Sequence, residues 1–151
     1  MVIVITGGSS GIGKSTAEYL ASKGHIVYAL SRSKTSMPKV KFLTCDVTNV
    51  LQVTTCLQTI IHEQTKIDAV INNAGIGISG AFEHHTAADI EQLLNVNLQG
   101  VFHVSRLALP YLRLTKGRLI NVGSVAGELV IPFQTLYSAS KSMICAFSEG
   151  L

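Results

Sequence analysis

Val2-Ile3-Val4-Ile5-Thr6-Gly7-Gly8-Ser9-Ser10-Gly11-Ile12-Gly13 opens the chain. Its first four residues are β-branched and apolar without interruption, the pattern of a strand buried on both faces in a parallel sheet. From Ser15 to Lys23 the apolar residues recur at helical spacing. Strand, glycine-rich turn and helix in that order form the phosphate-binding opening of a dinucleotide unit. Gly7 permits the tight turn, Gly11 lets the backbone approach a phosphate, and Gly13 lets helix and strand pack closely. Ser9, Ser10 and Ile12 complete the expected contacts, because the helix N-terminus offers free amide N–H groups and a partial positive charge to an anion.

Working outward, the run His25 to Leu30 predicts the second strand, followed by Ser31-Arg32-Ser33-Lys34. A unit that binds NAD(H) usually carries an acidic residue here, about 20 residues after the glycines, to hold the ribose 2′-hydroxyl. Ser31 and Arg32 stand in its place. A carboxylate repels a 2′-phosphate, whereas a hydroxyl and a guanidinium bind one, so the charge pattern favours NADP(H) over NAD(H).

The rest of the chain alternates. Strands are predicted at 2–6, 26–31, 40–45, 68–71 and 118–123, with helices at 11–23, 49–64, 87–97, 99–114 and from about Gln134 onward. Pro110 is either tolerated in its helix or kinks it. The expected fold is α/β: a Rossmann-like, doubly wound parallel sheet with helices on both faces, in one domain over 1–151.

Tyr137 and Lys141 share one helix face by their four-residue spacing. An ammonium beside a phenol favours its ionised form, which suits a tyrosine that works as general acid or base. Ser124, just after the last predicted strand, is the companion hydroxyl.

These motifs resemble the short-chain dehydrogenase/reductase family, in the branch with glycine spacing T-G-x-x-x-G-x-G. Thr6 to Gly13 fits its cofactor fingerprint. Cys45-Asp46-Val47 is similar to the segment whose aspartate contacts the adenine ring. Asn72-Asn73-Ala74-Gly75 matches the motif that closes the fourth strand and supports the cofactor pocket, with Asn73 expected in a structural role. Asn97-Leu98-Gln99-Gly100 matches the segment with the catalytic asparagine. The resemblance implies a tetrad of Asn97, Ser124, Tyr137 and Lys141, with Tyr137 and Lys141 also touching the cofactor. The implied reaction interconverts a small-molecule carbonyl and an alcohol, with NADP(H) as hydride carrier. It also implies a homo-oligomer in the full-length form and a length of roughly 250 residues as one domain. On that comparison the chain is expected to be a fragment, lacking the last strands and the substrate-covering loop, with one sheet edge uncovered. Two other readings stay open: a truncated, non-catalytic dinucleotide-binding protein, and a subunit-interaction module.

With 151 residues, 47% of them hydrophobic, the chain can bury a sizeable core. A formal net charge of +3 from scattered lysines and arginines does not suggest nucleic acid. The apolar runs are too short to span a bilayer, no signal peptide precedes the first strand, and the cytoplasm is the default location. Cys45, Cys56 and Cys145 form no C-x-x-C pair and read as reduced, buried thiols. His84 and His85 lack metal-ligand spacing, so no metal is expected, and His103 reads as structural. Glu128 to Phe133 is apolar after its glutamate, which suits a lipid-like, steroid-like or retinoid-like carbonyl compound.

Overall fold

The computed structural model describes residues 1–151. Five strands form one parallel sheet: β1 (Val2–Thr6), β2 (Ile26–Ser31), β3 (Val40–Thr44), β4 (Ala69–Asn72) and β5 (Arg118–Asn121), in the order β3-β2-β1-β4-β5. The order reverses between β1 and β4, and a crevice opens there at the carboxyl ends of the strands, where ligands of such sheets bind.

The strand sequences explain the layers. In β1 every residue is buried, with Val2 and Val4 facing one helical layer and Ile3 and Ile5 the other. Helices α2 (Val50–Gln64) and α4 (Gly100–Thr115) cover the first face: Val53, Leu57, Ile60, Val104, Ala108 and Leu112 pack there around Val2, Val4 and Tyr28. Helix α1 (Gly11–Ser22) covers the second, laying the small side chains of Ala17 and Ala21 against Ile3, Ile5 and Ala29. Helices α3 (Ala87–Leu94) and α5 (Thr135–Glu149) complete the fold. A third, smaller cluster of Leu98, Val101 and Ile144 holds α5 to α4, flanked by the Phe102 and Phe147 rings at 4.9 Å between centroids.

Two departures from regular helix bear on function. The predicted break between 97 and 99 is a wide π-helical turn at Asn95–Gln99 that runs straight into α4. Such turns are rare and recur at functional positions. Pro110 is accommodated inside α4, which continues to Thr115. The strands end within two residues of their expected limits, and β5 lies at a sheet edge with Ile120 44% exposed. No helix is long and apolar enough to cross a membrane.

Candidate active site

The glycine turn is built by hydrogen bonds that reach across the sheet. Thr6 Oγ1 accepts from the backbone N–H groups of Asn73 (3.1 Å) and Ala74 (3.0 Å). Asn73 Nδ2 in return donates to the carbonyls of Thr6 (3.0 Å) and Gly7 (3.3 Å). This laces the end of β1 to the loop after β4, so Asn73 holds the glycine turn. Gly7 has a left-handed backbone (φ +66°) and lies against Ala74. A side chain on Gly13 would collide with the Gly7 carbonyl and with Asn73 Nδ2. Gly13 is therefore buried behind the turn, whereas Gly11 (φ +51°) faces open space, with nothing within 4 Å of where its Cβ would be.

Helix α1 begins without a side-chain cap: Ser10 occupies the N-cap position and its hydroxyl accepts nothing. By contrast, Asn49 caps α2 by accepting from Leu51 and Gln52, and Thr86 forms a reciprocal capping box with Asp89 on α3. The first-turn N–H groups of α1 are thus left for another acceptor.

They open onto a cleft of about 630 Å³. Gly7, Ser9, Ser10, Gly11 and Ile12 line its floor. Ser31 and Arg32 line the end at β2, Asp46 and Val47 the end at β3, and Asn73, Ala74 and Gly75 the β4 side. Ser31 Oγ donates to the Ser33 carbonyl (2.6 Å), and Thr35 Oγ1 ties the same loop to the Ser9 carbonyl (3.3 Å). Asp46 is the single carboxylate in the lining. Its Oδ1 accepts from Thr48 N (2.9 Å) and Thr48 Oγ1 (2.8 Å), so it also stiffens the turn into α2.

A second cleft of about 480 Å³ adjoins the first, sharing Ile12, Asn73, Gly75 and Ile76 as a common wall. Ser124, Tyr137 and Lys141 line it together. Ser124 begins the short 3₁₀ turn Val125–Gly127, its Oγ accepting from Ala126 N (3.2 Å); the hydroxyl hydrogen is not spent on the protein. Tyr137 presents its ring against Gly77. Lys141 Nζ sits 5.9 Å from the Tyr137 ring centroid and donates to the Val122 carbonyl (2.8 Å). The residue is only 8% exposed. Burial pushes this ammonium below the ordinary lysine value, with neighbouring Cys145 acting in the opposite sense.

Asn97 does not line either cleft. It is buried in the π-helical turn, where its amide brackets Ile76: Oδ1 accepts from Ile76 N (2.8 Å) and Nδ2 donates to Ile76 O (2.9 Å). Gly75 separates it from Lys141; a Cβ there would lie 3.4 Å from Asn97 Oδ1 and 3.7 Å from Lys141 Nζ. Asn72, the last residue of β4, bonds Asn121 Oδ1 (2.8 Å) and Ser105 Oγ (3.0 Å) and thereby joins β4 to β5 and α4.

A glycine turn laced to the fourth strand, opening into a cleft that Ser124, Tyr137 and Lys141 share, is one arrangement spread over the whole chain. A family model described as short chain dehydrogenase matches residues 1–151. The chain belongs to the short-chain dehydrogenase family. It is 44% identical over 152 residues to the 3-ketodihydrosphingosine reductase of Bacteroides thetaiotaomicron, covering 99% of this chain and 56% of that protein. The chain thus spans little more than half the length of that curated relative. Among solved structures it matches ElxO with NADP bound at TM-score 0.90 and 26% identity, covering 97% of this chain and 64% of that one. NADH-dependent reductase A1-R′ complexed with NAD matches at TM-score 0.90 and 25% identity, over 99% of this chain and 70% of that one.

Four contributors to this candidate site in the short-chain dehydrogenase chain lie outside the sequence expectations. Thr6 supplies the acceptor for two N–H groups, Val122 the carbonyl under Lys141, Ile76 the peptide gripped by Asn97, and Ser140 a link described below. Ser140 alone left a signal, since it shares the buried face of α5 with Tyr137 and Lys141. The other three act largely through backbone or through a single oxygen at a strand end. All three cysteines are free, and Cys45 and Cys56 are buried as expected. Cys45 and Cys56, read separately in the sequence, meet below the first cleft. Cys56 Sγ donates to the Thr44 carbonyl (3.6 Å), and the neighbouring Cys56 thiol, then burial, push the Cys45 thiol up. Cys145 is only partly buried.

Proposed function

We propose that the full-length gene product reduces a ketone or aldehyde with NADPH, Tyr137 acting as the proton donor; the reverse reaction oxidises the alcohol. The observation that carries this reading is the second cleft, where Ser124, Tyr137 and Lys141 line one space sharing a wall with the cleft at the uncapped start of α1. The residues present fit a dinucleotide. The free first-turn amides and the side-chain-free face of Gly11 suit its pyrophosphate. Arg32, with no carboxylate at the end of β2, suits a 2′-phosphate, which is the basis for preferring NADP(H) to NAD(H); Ser31 would join it by giving up its bond to the Ser33 carbonyl. Asp46 and Val47, which line the β3 end of the cleft, would contact the adenine ring, and Asn73, Ala74 and Gly75 on the β4 side would flank the nicotinamide end.

When bound, a reduced nicotinamide supplies the hydride. The chain supplies the rest. Ser124, whose acceptor lone pair already serves Ala126, directs its free O–H at the substrate oxygen and stabilises negative charge developing there. Tyr137 transfers its phenolic proton to the same oxygen. Lys141, charged and partly desolvated, favours the phenolate that remains. Asn97 holds the Ile76 peptide beside Lys141, on the route by which the proton is replenished. The two free hydroxyls in one cleft favour this reading over a non-catalytic one.

For the substrate we propose a carbonyl compound bearing an apolar chain. Ile131 lines the cleft, and its sequence neighbours Leu129, Val130 and Phe133 are about 70% exposed (70%, 71% and 67%). The 44% identity to a 3-ketodihydrosphingosine reductase is in keeping with that class.

The decisive experiment is Tyr137→Phe in the full-length protein, assayed by NADPH oxidation against ketones of graded chain length. Turnover is expected to fall about 10³-fold, within the range that general acid catalysis supplies, with NADPH affinity within about twofold of the parent. Undiminished turnover would sink the assignment. In the same assay Arg32→Ala should weaken NADPH about tenfold, the equivalent of 1.4 kcal/mol, and leave NADH unchanged; equal losses would remove the case for the 2′-phosphate.

A further inference from the structure

The amide of Asn97 has three hydrogen bonds, and only two of them go to Ile76. The third runs from Nδ2 to Ser140 Oγ (3.1 Å) on α5. Ser140 Oγ in turn donates to the carbonyl of Tyr137 (2.7 Å). Donors and acceptors along this chain are used without conflict. Both Nδ2 hydrogens of Asn97 are spent, and the serine hydroxyl accepts once and donates once. Ser140 is 1% exposed and Asn97 2% exposed, so bulk solvent does not reach either partner.

The Tyr137 carbonyl is the acceptor that α-helical geometry assigns to the Lys141 N–H, so Ser140 bonds to the peptide group that joins the two reactive side chains. A serine that bonds back to the third carbonyl behind it also bends the helix slightly at that turn. We propose that Ser140 is a positioning residue. It fixes the turn of α5 bearing Tyr137 and Lys141 at one distance from the Asn97 turn and from the Gly75-Ile76 peptide that Asn97 grips. Nothing else bonds the Asn97 side chain to α5. The inference rests on the carbonyl-reductase reading for its catalytic consequence, and on geometry alone for the link itself.

The test has two arms on the full-length protein. By NMR, the Nδ2 protons of Asn97, assigned through bonds, should exchange slowly in the unaltered protein and at least about tenfold faster in Ser140→Ala, as expected for a buried amide that has lost a partner. Rapid exchange in the unaltered protein, or no change on substitution, would overturn the link whether or not any substrate is known. In turnover, Ser140→Ala should lower kcat about 10- to 100-fold, the cost of a small misplacement of reacting groups, while KM and NADPH affinity stay within about twofold. Equal losses in KM and kcat would mark Ser140 as merely structural. In Asn97→Ala protein the further change Ser140→Ala should cost less than about threefold, since residues acting as one unit are not additive; full additivity would also overturn the proposal. If Ser140→Ala fails to fold, rapid exchange in the unaltered protein would still overturn the link. An unaltered enzyme that reduces no carbonyl compound would defeat the carbonyl-reductase reading, and with it the catalytic role of Ser140, while the exchange arm would report independently.

Discussion

The two sides of the crevice are finished to different degrees. Around the glycine turn, β1 is buried along its length, β4 likewise, and β2 in all but its first residue. Thr6, Asn73 and Ala74 lock that region with four hydrogen bonds. On the other side, β5 alternates between exposed and half-buried positions. Beyond it, Val125, Leu129, Val130 and Phe133 are each about two-thirds exposed or more (71%, 70%, 71% and 67%). Yet Lys141, the one charged residue of the buried set, lies on that second side. The contrast teaches that one side of the crevice is built of rigid, buried backbone, while the other presents apolar side chains that stand free of the core. On the proposed reading the first would hold the nucleotide and the second the substrate.

If that is right, small changes on the first side should be costly and larger ones on the second tolerated. The largest effect is expected from Gly13→Val. The first added carbon meets a carbonyl and an amide that cannot move without dismantling the turn. Overpacking against backbone should cost about 3 kcal/mol or more, or prevent folding. A chemical denaturation midpoint near that of the parent would break the comparison at its strongest point.

Thr6→Val comes next. The substitution keeps the shape and removes one oxygen, orphaning the N–H groups of Asn73 and Ala74 where Thr6 is 2% exposed. Each buried unsatisfied donor costs about 1–3 kcal/mol, so a loss of about 2–6 kcal/mol is expected in urea unfolding, with weaker NADPH binding. Loss of stability without loss of nucleotide affinity would show that the lacing serves the fold and not the cofactor turn.

Much of this division was legible beforehand, and its limits have physical causes. The β-branched run of β1 and the glycine spacing announce themselves because burial on both faces and left-handed backbone admit few residue types. Tyr137, Lys141 and Ser124 were identifiable because their chemistry is carried by side chains at fixed spacing. What stayed hidden is carried by atoms every residue has. The Val122 carbonyl under Lys141 and the Ile76 peptide held by Asn97 have no residue signature. Asn97 itself was placed at a helix junction, but the π-helical turn that aims it depends on packing between α4 and α5. The meeting of Cys45 and Cys56 is likewise a product of β3 and α2 coming together, which no local pattern encodes.

At the opposite end of the sheet from the crevice, Asp68 gives the first side a pH dependence of its own. Its carboxylate accepts from Val2 N (2.6 Å) and pairs with Lys66 (3.1 Å). Burial opposes ionisation, but the Val2 hydrogen bond and the Lys66 charge outweigh it and hold the group below its ordinary value. A carboxyl group lowered in the folded state stabilises above its unfolded value and loses that contribution as pH falls through the folded one. Asp68→Asn should therefore be less stable than the parent at neutral pH. The gap in thermal midpoint should narrow below about pH 4, the unfolded aspartate value. A gap that persists unchanged to lower pH would assign the effect to lost hydrogen-bond geometry instead of charge.

The smallest effect, and the one with the opposite sign, belongs to Phe133. It holds a left-handed backbone (φ +62°), and its carbonyl accepts from Gly80 N (2.8 Å), tying the apolar lip to the loop after β4. That conformation costs a residue other than glycine about 1–2 kcal/mol. Phe133→Gly removes the strain and keeps the backbone bond, while the freer unfolded chain takes back about 0.5–1 kcal/mol. Because the ring is 67% exposed, little packing is lost. Stability should hold or rise by up to about 1 kcal/mol in urea unfolding. If the ring contacts a substrate chain, turnover of long-chain ketones should drop relative to short-chain ones in the same variant. A large destabilisation would mean that the lip is packed like the glycine turn, and the contrast between the two sides would fail there.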